Sequence, residues 1–228
     1  MKNKVDRLRV AIDGPAASGK NTLAKQIAKK YKLLHLDSGK LYRYFALQVY
    51  QSKDQKVNYK KLKQALKKLT LKKLKDKRLT TEPITKIASI ISKKKRIRQM
   101  LKKVQHNLAY NPPKKFKGSI LDGRDIGTVI IPDAHVKVYL TASLNVRAVR
   151  RFKEYKKLGI NTTLSKVKSD IKRRDYEDTH RKISSLKPAK DAVLLDSSFY
   201  NTKAAFVEID EVIRNKIKLL NATKHKSL

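Results

Sequence analysis

Short apolar runs alternate with longer amphipathic stretches along this chain. The runs Leu8–Ile12, Leu33–Leu36, Gly118–Leu121, Val136–Leu140 and Ala192–Leu195 span only four or five residues each and read as buried strands. Between them the apolar positions repeat at helical spacing. Thr22–Lys32 puts Leu23, Ile27 and Ala28 on one face, and Leu41–Gln51 follows the second strand. Arg96–Tyr110 is a helix stopped by Asn111-Pro112-Pro113. Another helix follows Thr141-Ala142-Ser143 and is broken by Leu158-Gly159-Ile160. Thr163–Asp178 is next, and 201–218 turns Ala205, Ile209, Val212 and Ile213 inward, ahead of a polar tail from Asn221. Five short strands alternating with helices predict an α/β fold with a doubly wound parallel sheet.

One stretch departs from this alternation. From Ser52 to about Lys95 Lys dominates and Gly is absent. Tyr59–Leu69 has helical spacing, and Leu71–Leu79 reads as a poor strand or hairpin. Thr81-Glu82-Pro83 opens a helix carrying Ile84, Ile87 and Ile91. Residues 52–95 are therefore expected to be a small subdomain inserted into a single domain spanning 1–228; the plainer reading is a long crossover between strands.

The first strand enters Gly14-Pro15-Ala16-Ala17-Ser18-Gly19-Lys20-Asn21-Thr22, and a helix follows. Glycines at this spacing before a lysine, between strand and helix, form a phosphate-binding loop. Backbone N–H groups turn toward phosphate oxygens, Lys20 adds a point charge, and the helix offers its positive N-terminal end. Asn21 stands where a hydroxyl usually reaches Mg²⁺, with Thr22 one place later. The plainer reading is a Gly-containing βα turn, which the Gly-Lys spacing disfavours. Against the lysine background, Arg43, Arg124, Arg147, Arg150, Arg151, Arg174 and Arg181 all follow strands or lie on helices beyond them. Arg gives phosphate a planar, bidentate contact that Lys does not.

Four further motifs give a resemblance. Asp37-Ser38-Gly39-x-x-Tyr42-Arg43, Asp122-Gly123-Arg124-Asp125-Ile126-Gly127-Thr128, Pro132-Asp133-Ala134 and Arg173-Arg174-Asp175-x-x-Asp178-x-x-Arg181 look, in order and spacing, like bacterial-type cytidylate kinases. The resemblance runs from Val10 to about Ser197. It implies a P-loop three-layer fold with a five-stranded parallel sheet, an inserted CMP-binding subdomain and a short lid at 147–160. The implied reaction is MgATP with CMP or dCMP giving ADP and CDP or dCDP.

The same resemblance implies roles. Gly14 to Thr22 would hold the ATP phosphates, with Lys20, Arg150, Arg151 and Arg174 neutralising charge in transfer. Arg147 would stack on adenine. Ser38, Arg43, Ser89, Arg98, Arg124, Asp125, Arg174, Asp178 and Arg181 would bind CMP. Mg²⁺ would arrive with ATP, its waters near Asp122. The Leu69–Leu79 segment is short where longer members place a small sheet, so that sheet is expected to be trimmed. The remaining readings are a P-loop kinase for another small acceptor and an RNA- or ribosome-associated P-loop protein.

Composition narrows the class. Cys is absent, which excludes disulfides and thiolate metal sites, and the five His show no ligand spacing. No apolar run approaches a membrane span, and Met1-Lys2-Asn3-Lys4 carries no signal-type apolar region, so a cytoplasmic location is the expectation; with the resemblance, the expectation is a monomeric enzyme. The net charge of +38 is extreme, yet the lysines are scattered and lack an aromatic platform. Scattered charge supports non-specific attraction rather than a specific nucleic-acid partner. RNA should therefore be retained weakly at low salt and released as salt rises; filter binding that ignores ionic strength would contradict this.

Overall fold

The computed structural model describes residues 7–52, 54 and 56–225. Expectations for Met1–Lys4, for two residues of the 52–95 segment and for the end of the tail lie outside the described residues. Strands β1 (Leu8–Asp13), β2 (Leu34–Asp37), β3 (Gly118–Gly123), β4 (Val136–Thr141) and β5 (Val193–Asp196) form one sheet in the order β2-β3-β1-β4-β5. β1 pairs in parallel with β3 and with β4, and β4 with β5. The crossovers from β1 and β3 leave toward opposite edges, so the ligand crevice of such a sheet lies outside their C-terminal ends. The register there sets Asp13 beside Gly123 on one side and Tyr139 on the other.

The helices are α1 (Lys20–Tyr31), α2 (Ser38–Tyr50), α3 (Tyr59–Lys67), α4 (Glu82–Ile91), α5 (Lys95–Tyr110), α6 (Leu144–Lys157), α7 (Leu164–His180) and α8 (Thr202–His225). By chain contacts two compact units separate: Met1–Leu36 with Leu108–Leu228, and Asp37–Asn107. The expected insert, 52–95, falls inside the second. In the first unit alternate strand residues Val10, Ile12, Ile120, Val138 and Leu140 pack with Leu23 and Ile27 of α1 and with Ala205, Ile209 and Ile213 of α8. The period-two strand pattern and the 3.6-residue helix pattern meet in this layer. A smaller cluster joins Ala16 of the loop to Ala148 of α6 and to Val167 and Ile171 of α7. In the second unit α2 packs on α3, on α4 and on two 3-10 turns. Phe45, Leu62, Leu79, Ile84 and Leu101 are among its fully buried side chains.

Several expectations are corrected. Leu71–Leu79 is neither strand nor hairpin: it forms 3-10 turns at Lys73–Lys75 and Lys77–Thr80. Leu74 and Leu79 are the residues buried, and a spacing of five does not fit one face of a strand. α1 begins at Lys20 rather than Thr22, because Gly19 (φ +93°) ends the loop in a left-handed conformation just before it. α2 begins at Ser38 rather than Leu41, capped by the Asp37 carboxylate, which accepts from Lys40 N–H at 3.2 Å. α8 continues to His225, through the expected loose tail at Asn221. A π-helical turn, Ile126–Ile130, follows β3 and was not anticipated.

α8 is pinned to α1 by one carboxylate. Asp210 is buried and accepts from Lys30 Nζ at 2.7 Å, Tyr31 Oη at 2.9 Å and Arg214 Nε at 3.1 Å. Burial alone would raise its pKa, but Lys30 and Tyr31 hold it below the usual carboxylate value. This contribution to stability is present at neutral pH and is lost as pH falls through that lowered value. Asp210→Ala should lower stability by about 1–3 kcal/mol, the scale of hydrogen bonds to a charged group. A urea midpoint shifted down with an unchanged m value is the expected reading.

Candidate active site

β1 delivers its chain into the phosphate loop by a contact only glycine permits. A Cβ on Gly14 would sit 1.9 Å from the Leu140 carbonyl oxygen of β4. The loop then wraps around Lys20, whose Nζ donates to Pro15 O at 2.6 Å and to Ser18 Oγ at 3.1 Å. Lys20 is 6% exposed. Burial first, then the Arg124 charge, pushes its pKa well below the usual lysine value, while Asp122 and Asp13 pull it back up.

Two carboxylates at the strand ends shape this cluster. Asp13 closes β1, and its Oδ1 and Oδ2 accept the N–H groups of Ile126 at 2.8 Å and Gly127 at 2.7 Å. One buried side chain thus ties the loop strand to the turn after Arg124-Asp125. Asp122 in β3 lies 2.6 Å from His35 Nε2 of β2. It is also buried, at 5% exposure. Asp125, equally buried, opens the π-turn, and its carbonyl accepts from Val129 and Ile130 N–H.

α7 gathers the arginines. Asp178 Oδ2 accepts from Arg124 Nε at 2.8 Å, and its Oδ1 accepts from Arg181 Nη1 at 3.1 Å. Burial would raise the Asp178 pKa, but Arg124, Arg174 and Arg181 together lower it. Arg124 is raised in turn: its burial works against the charge, and Asp178 together with Asp175 and Asp13 outweighs that. Arg181 also donates from Nε to Ser184 O at 2.6 Å.

The lid arginines are each held by protein partners. Arg147, expected to stack on adenine, is 7% exposed and turned toward the loop. Its Nε donates to Ala142 O at 2.7 Å and its Nη1 to Ala16 O at 3.0 Å and to Asp175 Oδ2 at 2.5 Å. The reason is positional: it lies in the first turn of α6, where side chains lean back toward the helix N-terminus. Arg150 donates to Ser197 Oγ at 3.0 Å and Ser197 O at 2.7 Å, and Ser197 Oγ in turn approaches Ser18 O at 3.5 Å. Burial lowers the Arg150 pKa. Arg151 pairs with Glu154 at 2.8 Å and lies over the Tyr155 ring.

The second unit carries the remaining expected residues. Arg43 Nη2 donates to Asp37 Oδ2 at 3.1 Å, and Ser38 Oγ accepts from Gln105 Nε2 at 2.7 Å. Arg98 is buried, donates to Ser92 O at 3.2 Å and lies over the Tyr42 ring. Ser89 in α4 is half-buried, and its carbonyl accepts from Ser92 Oγ. Sequence reasoning missed Asp13, His35, Gln105 and Ser197 as partners of site residues, and placed Asp175 in the α7 motif without its bonds to Ala16 and Arg147. None carries a local signal, since each bonds to a residue distant in the chain. Among the described residues no group of His, Asp and Glu could hold a metal ion by itself.

Asp13 sets a testable pH dependence. Burial raises its pKa from 3.8 to about 6, with the two backbone N–H bonds opposing. The folded chain therefore holds a proton that the unfolded chain releases over this range. Asp13 favours folding fully below pH 3.8 and loses that contribution as pH rises through about 6. The Asp13 carboxyl carbon should titrate in NMR near pH 6, and a midpoint near 4 would remove burial as the controlling cause.

Comparison with known proteins agrees with this geometry. The family profile described as cytidylate kinase matches residues 10–219. The cytidylate kinase of Bradyrhizobium diazoefficiens is 42% identical over 208 residues, covering 90% of this chain and 96% of its own. That of Rhodospirillum rubrum is 37% identical over 207 residues, covering 91% and 97%. That of Ligilactobacillus salivarius is 37% identical over 235 residues, covering 97% and 100%. The crystal structure of an uncharacterized protein from Eubacterium ventriosum superposes with a TM-score of 0.52 over 91% of this chain and 98% of its own. At 13% identity that likeness is one of fold alone. With its phosphate loop, its Gly-Arg-Asp turn and its arginine-bearing α7 all inside the matched region, the chain belongs to the cytidylate kinase family.

Proposed function

We propose that this protein transfers the γ-phosphoryl group of ATP to CMP or dCMP, giving ADP and CDP or dCDP. The observation that carries the reading is the family match over residues 10–219, which includes both the Lys20 loop and the Gly123-Arg124-Asp125 element. Gly14 to Thr22 hold the ATP phosphates, and Lys20 supplies the charge nearest them. A buried ammonium with a lowered pKa gains most when an anion arrives to compensate it. Ser38, Arg43, Ser89, Arg98, Arg124, Asp125, Arg174, Asp178 and Arg181 hold CMP.

The CMP phosphate is already an anion, so the reaction needs no general base. Catalysis is positioning together with neutralisation of the charge spread over the transferring group. Lys20, Arg150, Arg151 and Arg174 serve that neutralisation, with Arg150 first releasing Ser197. Asp125 suits the N4 amine of cytosine, which uracil lacks, because a carboxylate accepts what the amine donates. Mg²⁺ fits the residues present. Asp122 and Asp13 are buried carboxylates that both act on the Lys20 charge, oxygen ligands of the kind Mg²⁺ takes. Bound with ATP, the ion would supply further charge neutralisation on the phosphates, and Asp122 would be the residue to hold it.

The protein acts as a cytoplasmic monomer, where ATP and CMP are found, and its net charge of +38 opposes self-association. The same charge draws RNA without sequence preference. Among the described residues no helix is long and apolar enough to cross a membrane.

A coupled assay of ADP release with MgATP and each of CMP, dCMP, UMP and AMP tests the reading. CMP should give the highest kcat/KM; highest activity with UMP or AMP would overturn it. Asp125→Ala should lower kcat/KM for CMP by about tenfold or more, as expected for a lost polar contact to the base. Unchanged kinetics would remove Asp125 from base recognition.

A further inference from the structure

The peptide of Ala16, inside the phosphate loop, is held at both of its polar atoms by one ion pair. Its N–H donates to Asp175 Oδ1 at 3.0 Å, and its carbonyl accepts from Arg147 Nη1 at 3.0 Å. Arg147 and Asp175 close the ring through a 2.5 Å contact between Nη1 and Oδ2. Arg147 is anchored again at Ala142 O, at the foot of α6. Ala16 itself packs on Ala148, Val167 and Ile171, so this end of the loop is fixed to α6 and α7 by packing as well.

The next residue explains why a loop would need such a grip. Ala17 has φ +60°, the left-handed region that a residue with a Cβ rarely adopts. An unrestrained chain would relax Ala17 to negative φ and turn the following N–H groups away from their present directions. A neutral contact would hold the peptide less firmly than a charge-assisted one. The pairing also keeps a carboxylate close to a phosphate loop at little electrostatic cost, because Arg147 neutralises it.

We propose that Asp175 and Arg147 form a positioning pair that holds the phosphate loop in its nucleotide-ready shape by clamping the Ala16 peptide against the strain at Ala17. The proposal rests on the reading that Gly14 to Thr22 hold the ATP phosphates. Arg147 here acts through the loop backbone rather than on the adenine ring. α7 then has two duties a single turn apart: Asp175 grips the donor loop, while Asp178 organises Arg124 and Arg181.

The test separates positioning from general stability by relieving the strain independently. Binding of a fluorescent ADP analogue, measured without CMP, reads the loop directly and does not depend on the identity of the acceptor. Asp175→Ala should weaken ADP binding at least tenfold. Adding Ala17→Gly, which removes the cost of positive φ, should recover at least threefold of that loss. In ADP-release kinetics the KM for ATP should rise with Asp175→Ala, while the KM for CMP changes less than threefold. If Asp175→Ala does not fold, Asp175→Asn, which keeps the acceptor and loses the charge, should show the same pattern of loss and recovery. A smaller loss of ADP binding, no recovery by Ala17→Gly, or an equal rise in both KM values would overturn the proposal. A wild-type protein that binds ADP but does not turn over CMP would instead overturn the acceptor, leaving the clamp in place.

Discussion

A buried lysine is the constraint around which the first unit is arranged. Taking the Lys20 ammonium out of water penalises its charge, and Arg124 nearby adds to the penalty. Asp122 and Asp13 offset part of it, and Pro15 O and Ser18 Oγ accept two of its three protons. The carboxylates are themselves costly to bury. Asp13 is held by two backbone N–H groups from the turn after Arg124, and Asp122 by His35 on the neighbouring strand. Each compensation recruits another element, so strands β1, β2 and β3 and the π-turn are joined through one charge. A phosphate group entering the loop supplies the missing negative charge to a cation already in place, without the cost of reorganising it at that moment.

What could be read in the sequence was what is local. The central strands β1, β3 and β4 showed as apolar runs because most of their residues are buried, whereas β5 showed although only Leu195 of it is buried, and the loop showed because Gly14, Gly19 and Lys20 must fall at fixed spacing. The site's chemistry was also legible, in the choice of Arg over Lys at positions such as Arg124 and Arg181. The geometry was not. Asp13 reaches partners 113 residues away, and Arg147 reaches Ala16 across 131 residues. An Asp at a strand end or an Arg in a helix looks the same whether it faces solvent, a ligand or a backbone peptide. The Leu-rich stretch 71–79 misled for a related reason. Short and heavily charged, the stretch read as a poor strand or hairpin. Leu74 and Leu79 are in fact anchors of two 3-10 turns, a pattern too short to carry a period of its own.

The second unit shows how little apolar surface such a lysine-rich segment needs. Its exposed positions carry the charge, and its interior is made by residues spread from Leu41 to Leu101 across α2 to α5 and the two turns. Tyr44 bridges α2 to α3 by donating to Ala65 O at 3.2 Å. The turns at 73–80 close this core, and Leu79 is fully buried there. Two 3-10 turns therefore suffice to complete it.

That has a consequence for recognition. Ser38, Arg43 and Arg98 all stand on helices of this unit, and each is held by a contact made within it: Ser38 by Gln105, Arg43 by Asp37, and Arg98 by Ser92 and Tyr42. Gln105 donates to the Ser38 oxygen, which leaves that hydroxyl its own proton and one further lone pair. In the proposed CMP site, selectivity at these positions would rest on the hydrogen-bonding sense of such groups. Exclusion of a wrong base would arise from an unmatched donor or acceptor rather than from a steric wall, and unmatched buried polar groups discriminate more strongly than a poorly filled pocket.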